Sequence, residues 1–261
     1  MAAAGDALQQ LRAALSERVI PSLVKQARRD APVPDDAMRD MVLRYALRGE
    51  REGALSLITR AVQAGMRPEV LSEELLGEVA RALGRGWEED SCDFVAVTCG
   101  VDLIEAMLRE IRQLAPPRLV AASAARPAVL LASAPGEQHV LGISILRDAF
   151  ERAGWDATRS VGSAAHVLLA QIAAQHYDAL ALSVATDRHL STLSALVKSA
   201  RRLSKNPRLH VLVGGAAILR HPETGTRIGA DAIGLDAETA LGEASRLLKE
   251  TKVATKDGKP A

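Results

Sequence analysis

The stretch AVLLASAPGEQHVLG, Ala128 to Gly142, decides how this chain folds. Its first residues, rich in Val, Leu and Ala, predict a buried strand. Ala134, Pro135 and Gly136 break that strand, and Glu137, Gln138 and His139 follow in a turn. Helical spacing resumes over 141–153. In an open parallel α/β sheet, ligands sit outside the carboxyl ends of the strands, so His139 stands at the edge of a candidate site.

Two readings of His139 follow from the residues alone. In one it is a solvated loop histidine next to a helix start. In the other, Glu137-x-His139-x-x-Gly142 is a unit. A carboxylate two residues before the imidazole can accept one ring N–H, fix the tautomer and strengthen the other nitrogen as a metal ligand. Gly142 lets a bulky group pass close to the backbone.

From Pro127 onward, strands and helices alternate. Strands are expected at 128–133, 156–161, 178–184, 208–213 and 231–235. Helices are expected at 141–153, 163–175, 188–203, 216–228 and 237–249. Five βα units predict a doubly wound, five-stranded parallel sheet of flavodoxin-like, Rossmann-type order over 127–250. A polar tail, 251–261, is expected to be disordered.

Upstream the pattern is helical only. The reading is a helical arm at 1–35, a four-helix bundle at 36–115 and a Pro- and Ala-rich linker at 116–126. Asp35 or Asp36 caps the first bundle helix, which ends near Gly49; the second closes at Gly65. Pro68 opens the third, which Gly84 and Gly86 stop just before Trp87. Val101, Ile104, Met107, Leu108, Ile111 and Leu114 line the fourth.

Composition narrows the function. The formal charge is +1 and aromatics make up 2%, which argues against electrostatic capture of nucleic acid or membrane and against base-stacking platforms. There is no apolar run of membrane-spanning length and no secretory pattern at the N-terminus, so the expectation is a cytoplasmic protein with Cys92 and Cys99 reduced. The sequence holds no G-x-S-x-G, Walker loop, G-x-G-x-x-G or H-E-x-x-H, so no enzyme is expected. His166, His176, His189, His210 and His221 are read as surface or structural. Of these, His189 opens a helix near the third strand's edge. Arg201, Arg202 and Lys205 are read as a solvated helix face.

Two further strand ends lie at the edge that carries His139: Ser183-Val184-Ala185 after the third and Gly214-Gly215 after the fourth. Each is common in α/β folds. Together, Gly142, Ser183, Gly214 and Gly215 outline a slot for a long ligand arm, with helix N-termini nearby to receive a phosphate.

On these residues the segment from about Pro127 to Leu248 resembles the cobalamin-binding domain of methionine synthase, the mutases and the corrinoid proteins. That family's motif is Asp-x-His-x-x-Gly, then Ser-x-Leu, then Gly-Gly. The resemblance implies that His139 is the lower axial cobalt ligand and that the displaced dimethylbenzimidazole tail enters the slot, with Ser183 as a hydrogen-bond partner. Two residues depart from the pattern: Glu137 stands for Asp and Ala185 for Leu.

Such domains often carry a four-helix cap over the upper corrin face. Trp87, with the segment through Val97 and Thr98, resembles that cap. The triplet Val97-Thr98-Cys99 stands where light sensors of the CarH type have Glu-His-His, so no second histidine ligand comes from there. The pattern W-x-x-D-x-C-x-F-x-x-V-T is similar to the AerR/PpaA antirepressors of photosynthetic bacteria. The resemblance implies a light-responsive regulator binding adenosylcobalamin or hydroxocobalamin and acting through a partner transcription factor or repressor. No helix-turn-helix is seen ahead of the bundle, which favours action through a partner; direct DNA contact is left open, since a bundle can hold an unconventional one. The alternatives are a corrinoid methyl carrier and a haem-binding sensor on the same fold.

Overall fold

The computed structural model describes residues 31–115, 126–137, 139 and 141–256. The arm up to residue 30, the linker at 116–125 and the last five residues lie outside them.

The bundle begins with α1 (Asp36–Arg48). Asp35 caps it by accepting from the Met38 N–H at 2.8 Å, and Gly49 ends it with a left-handed φ of 66°. α2 (Arg51–Gln63) follows. The third helix opens with a π-helical turn, Val70–Leu75, and continues as α3 (Leu76–Glu88). α4 (Phe94–Leu114) starts at Asp93, which accepts from the Ala96 N–H at 2.7 Å. Val42, Ala46, Ile58, Leu71, Leu75, Leu76, Leu83, Ile104, Met107, Leu108 and Ile111 form its fully or almost fully buried core.

Gly84 and Gly86 do not stop α3; the helix runs through both to Glu88. It closes when the Ser91 and Cys92 N–H groups donate back to the Gly86 carbonyl, at 2.8 and 3.0 Å, while Asp90 reverses the chain with φ 53°. Cooperative helix propagation outweighs the cost of two glycines, about 1 kcal/mol each.

The second unit is the expected five-stranded parallel sheet. Its elements are β1 (Ala128–Ser133), α5 (Leu141–Arg152), β2 (Asp156–Ser160), α6 (Ala165–Ala174), β3 (Ala179–Ser183), α7 (Leu190–Leu203) after a 3-10 turn at Asp187–His189, β4 (His210–Gly214), α8 (Ala216–Arg220), α9 (Glu223–Ile228), β5 (Ala232–Gly234) and α10 (Ala237–Lys256). The strand order is β2-β1-β3-β4-β5. Successive connections leave β1 in opposite directions, so the crevice at the β1 and β3 carboxyl ends is the switch point where ligands dock. Register aligns Ser133 with Ser183, Ser183 with Gly214 and Gly214 with Gly234.

Two expectations need correction. The single helix at 216–228 is two, α8 and α9, because Pro222 has no N–H to continue the ladder. The 251–261 tail is not uniformly disordered: α10 continues through Thr251 to Lys256, and Thr251 Oγ1 lies 2.8 Å from His210 Nε2.

Candidate functional site

Glu137 is the buried centre of the β1–α5 loop. Its side chain has no solvent exposure. One oxygen, Oε1, sits 2.5 Å from His139 Nδ1 and accepts from the His139 N–H at 3.3 Å. The other, Oε2, accepts from the Ala185 and Thr186 N–H groups and from the Thr186 hydroxyl, at 3.3, 3.2 and 3.1 Å. The carboxylate therefore ties together the two loops that flank the switch point. Burial alone would raise its pKa, but the bonds from His139 and Thr186 outweigh that and hold it at about 2.

The Glu137 carboxylate reaches the imidazole with one oxygen and the β3 loop with the other. Ala185, in place of Leu, contributes its backbone N–H to this grip.

With Nδ1 turned to the carboxylate, the Nε2 lone pair is the free donor of His139. The ring is 66% exposed, so that nitrogen is accessible from outside. One imidazole suits a metal that arrives with its other positions already filled.

The glycine and serine positions meet as expected at the same edge. An added Cβ on Gly142 would come 3.7 Å from Ser183 Oγ, so the first turn of α5 passes directly beside the end of β3. Gly214 and Gly215 are fixed by the fold itself. Gly215 has φ 97°, and a Cβ there would fall 2.6 Å from the Val184 carbonyl oxygen; one on Gly214 would fall 2.5 Å from that of Gly234.

Trp87, on the last turn of α3, is 50% exposed and meets Phe94 edge-on, with ring centroids 6.4 Å apart. Phe94 and Val95 are also exposed, Val97 is half-buried, and exposed Thr98 turns its hydroxyl onto the Phe94 carbonyl at 2.7 Å. The position of this apolar tip follows from how the units pack. Leu141 and Ile145 of α5 join the bundle core. Ser144 donates to Glu105 of α4 at 3.1 Å, and further along both helices Arg112 feels the charge of Glu151. α4 and α5 therefore run parallel. Counting back from the Glu105–Ser144 contact at about 1.5 Å per residue, Thr98 stands about 6 Å beyond the start of α5, on the side where His139 lies.

The sequence did not single out Thr186, whose only signal was a hydroxyl just past the third strand. His189, read as surface or structural, lies in the site: its side chain is 13% exposed and its Nε2 is 3.7 Å from Glu137 Oε2. Arg188 Nε donates to the same nitrogen at 3.0 Å. Arg201 and Lys205 are not a freely solvated face: Arg201 binds the Leu209 and Gly229 carbonyls and Asp231, and Lys205 the Ala174 carbonyl. Among the described residues, no helix is long and apolar enough to cross a membrane.

Comparison with known proteins agrees with this geometry. The chain is similar to the Rhodobacter capsulatus uncharacterized 20.5 kDa protein in the bchF-crtJ intergenic region, with 28% identity over 177 residues, 68% of this chain and 91% of the relative. Among solved structures it is similar in fold to the Methanosarcina barkeri monomethylamine corrinoid protein, with a TM-score of 0.62 at 15% identity, covering 80% of this chain and 96% of the other. Nothing in these comparisons points to haem. Residues 127–245 match the B12 binding domain family. The matching segment is the five-stranded sheet unit, and the helical bundle packs against the first helix of that unit.

Proposed function

We propose that the chain is a cobalamin-binding, light-responsive regulator that acts through a partner transcription factor. The observation that carries the binding half is the bond between His139 Nδ1 and the buried Glu137, which leaves Nε2 facing out at the sheet's switch point. His139 would hold the cobalt through Nε2. Gly142, Ser183, Gly214 and Gly215 border the slot for the nucleotide arm, and Glu137, with Ala185 behind it, sets the ligand's tautomer. Trp87, Val97 and Thr98 would cover the bound corrin. Bound cobalamin would supply a light-sensitive cobalt centre, and a contact with the apolar tip that differs between two states of the cofactor is what a two-state sensor requires.

The regulatory half rests on the W-x-x-D-x-C-x-F-x-x-V-T pattern and on similarity to a protein named for the bchF-crtJ region. A second reading, a corrinoid methyl carrier, is favoured by the fold shared with a corrinoid protein. Under either reading the chain binds and presents a cofactor, and no catalytic role is assigned to its own side chains.

The test is a spectroscopic titration with hydroxocobalamin and adenosylcobalamin, in darkness and after illumination. Histidine-ligated uptake is expected, and His139→Ala is expected to lose the imidazole-coordinated spectrum. An unchanged cobalt environment in that variant would reject the assignment. Light-driven conversion that alters partner affinity supports the regulator; light-indifferent methyl transfer to an acceptor enzyme supports the carrier.

A further inference from the structure

The other end of α5 carries a second buried carboxylate that the site does not use. Asp148 is fully buried, and its Oδ2 accepts from the hydroxyl of Ser72, also fully buried, at 2.9 Å. The same oxygen pairs with Arg152 one turn on. Arg152 in turn lies 3.6 Å from Glu73. Ser72 and Glu73 belong to the π-helical turn of the bundle, and Asp148 and Arg152 to the sheet unit, so this cluster crosses the seam between them. π-helical turns in otherwise α-helical segments are often found at functional sites.

A cleft of about 1020 Å³ opens beside the cluster, between the π-helical turn, the end of α5 and the start of α10. Asp148 Oδ1 has no hydrogen-bond partner among the described residues. A buried oxygen left unbonded is costly, and it regains water when the seam opens.

We propose that Ser72 and Glu73 of the π-helical turn, with Asp148 and Arg152 of α5, form a latch that holds the bundle on the sheet unit and loosens as pH rises through neutrality. The latch itself stands apart from cofactor binding; its consequence, control of how the Trp87 tip covers the His139 end, rests on the proposed function above.

The sign follows from what surrounds Glu73. Burial above all, with Asp236 and Glu238 from the start of α10 and Glu69 just ahead of the turn, outweighs the pull of Arg152 and raises its carboxyl to about 7. On the remaining sides, Arg112 of α4 acts on Arg152, and the cleft is also lined by Arg39 of α1, Arg67 ahead of the turn, Glu74 within it, Glu78 and Arg81 of α3, and Asp148 and Glu151 of α5. Once released into water, Glu73 returns to the ordinary carboxylate range. The closed seam therefore binds the proton more tightly. Closure is strongest where Glu73 is protonated in both states and weakens as pH rises through about 7.

The test is hydrogen exchange on the full chain without cobalamin, corrected for its intrinsic pH dependence. Peptides over 70–88 and 141–152 report the seam, and one over 179–183 in β3 serves as reference. Between about pH 6 and about pH 8 the open fraction is expected to rise about tenfold at the seam and to stay constant in β3. Glu73→Gln, a permanently uncharged mimic, is expected to flatten that response. Ser72→Ala is expected to open the seam at both pH values while keeping their ratio. A flat response in the native chain, a full response in Glu73→Gln or native-like exchange in Ser72→Ala would each overturn the latch. Because no cobalamin is present, these outcomes are independent of the His139→Ala titration.

Discussion

The two ends of α5 handle buried negative charge in opposite ways. Before its first turn, Glu137 is fully buried but accepts from an imidazole, from backbone N–H groups on both flanking loops and from a hydroxyl. In its last turn, Asp148 is equally buried but concentrates its bonds on one oxygen. A fully bonded carboxylate is a fixed point, and one with an idle oxygen is a place to give way. If His139 holds the cofactor as proposed, one helix joins a rigid ligand mount to a yielding seam, and a movement of the bundle relative to α5 would shift the seam while the mount stays put.

This contrast can be broken in three places. The largest effect belongs to the stretch between the ends. Phe150 is fully buried against Trp155, with ring centroids 5.2 Å apart, and both ends depend on its hold on the sheet. Phe150→Ala is expected to cost about 3–5 kcal/mol in urea unfolding and to disturb both ends together. If only one end responds, α5 is not a single lever. Next comes the mount. Glu137→Gln keeps the shape but removes the charge that orients His139, and cobalamin affinity measured by titration is expected to fall about 10- to 100-fold. Unchanged affinity would mean that the imidazole needs no orientation. The smallest effect is at the seam, where Ser72→Ala is expected to cost about 1 kcal/mol of stability with cobalamin affinity retained. A loss as large as at Glu137 would erase the distinction between fixed and yielding ends.

Much of the mount was legible in the sequence because it is local. Strand, breaker, Glu137-x-His139 and the helix start fall within fifteen consecutive residues, and a continuous apolar run gives way there to helical spacing. The Gly214-Gly215 pair was legible too, although the structure shows that backbone crowding at Val184 and Gly234 fixes it irrespective of any ligand. The roles of Thr186 and His189 were hidden, because they depend on a carboxylate almost fifty residues away. The seam left no trace at all. Ser72 and Asp148 are 76 residues apart, and a π-helical turn has the same residue preferences as the α-helix around it. Gly84 and Gly86 misled for a related reason: local propensity marks a stop, while the surrounding bundle carries the helix across it.

The chain has only two tryptophans, and they stand in opposite surroundings. Trp155 is dry and clamped against Phe150, whereas Trp87 is half wetted at the bundle tip. Intrinsic emission therefore separates into a blue-shifted, nearly constant component and a red-shifted one that reports on whatever approaches the tip. A coloured macrocycle settling beneath Trp87 would dim the second component more than the first, giving the protein an optical gauge of its own occupancy without any attached dye.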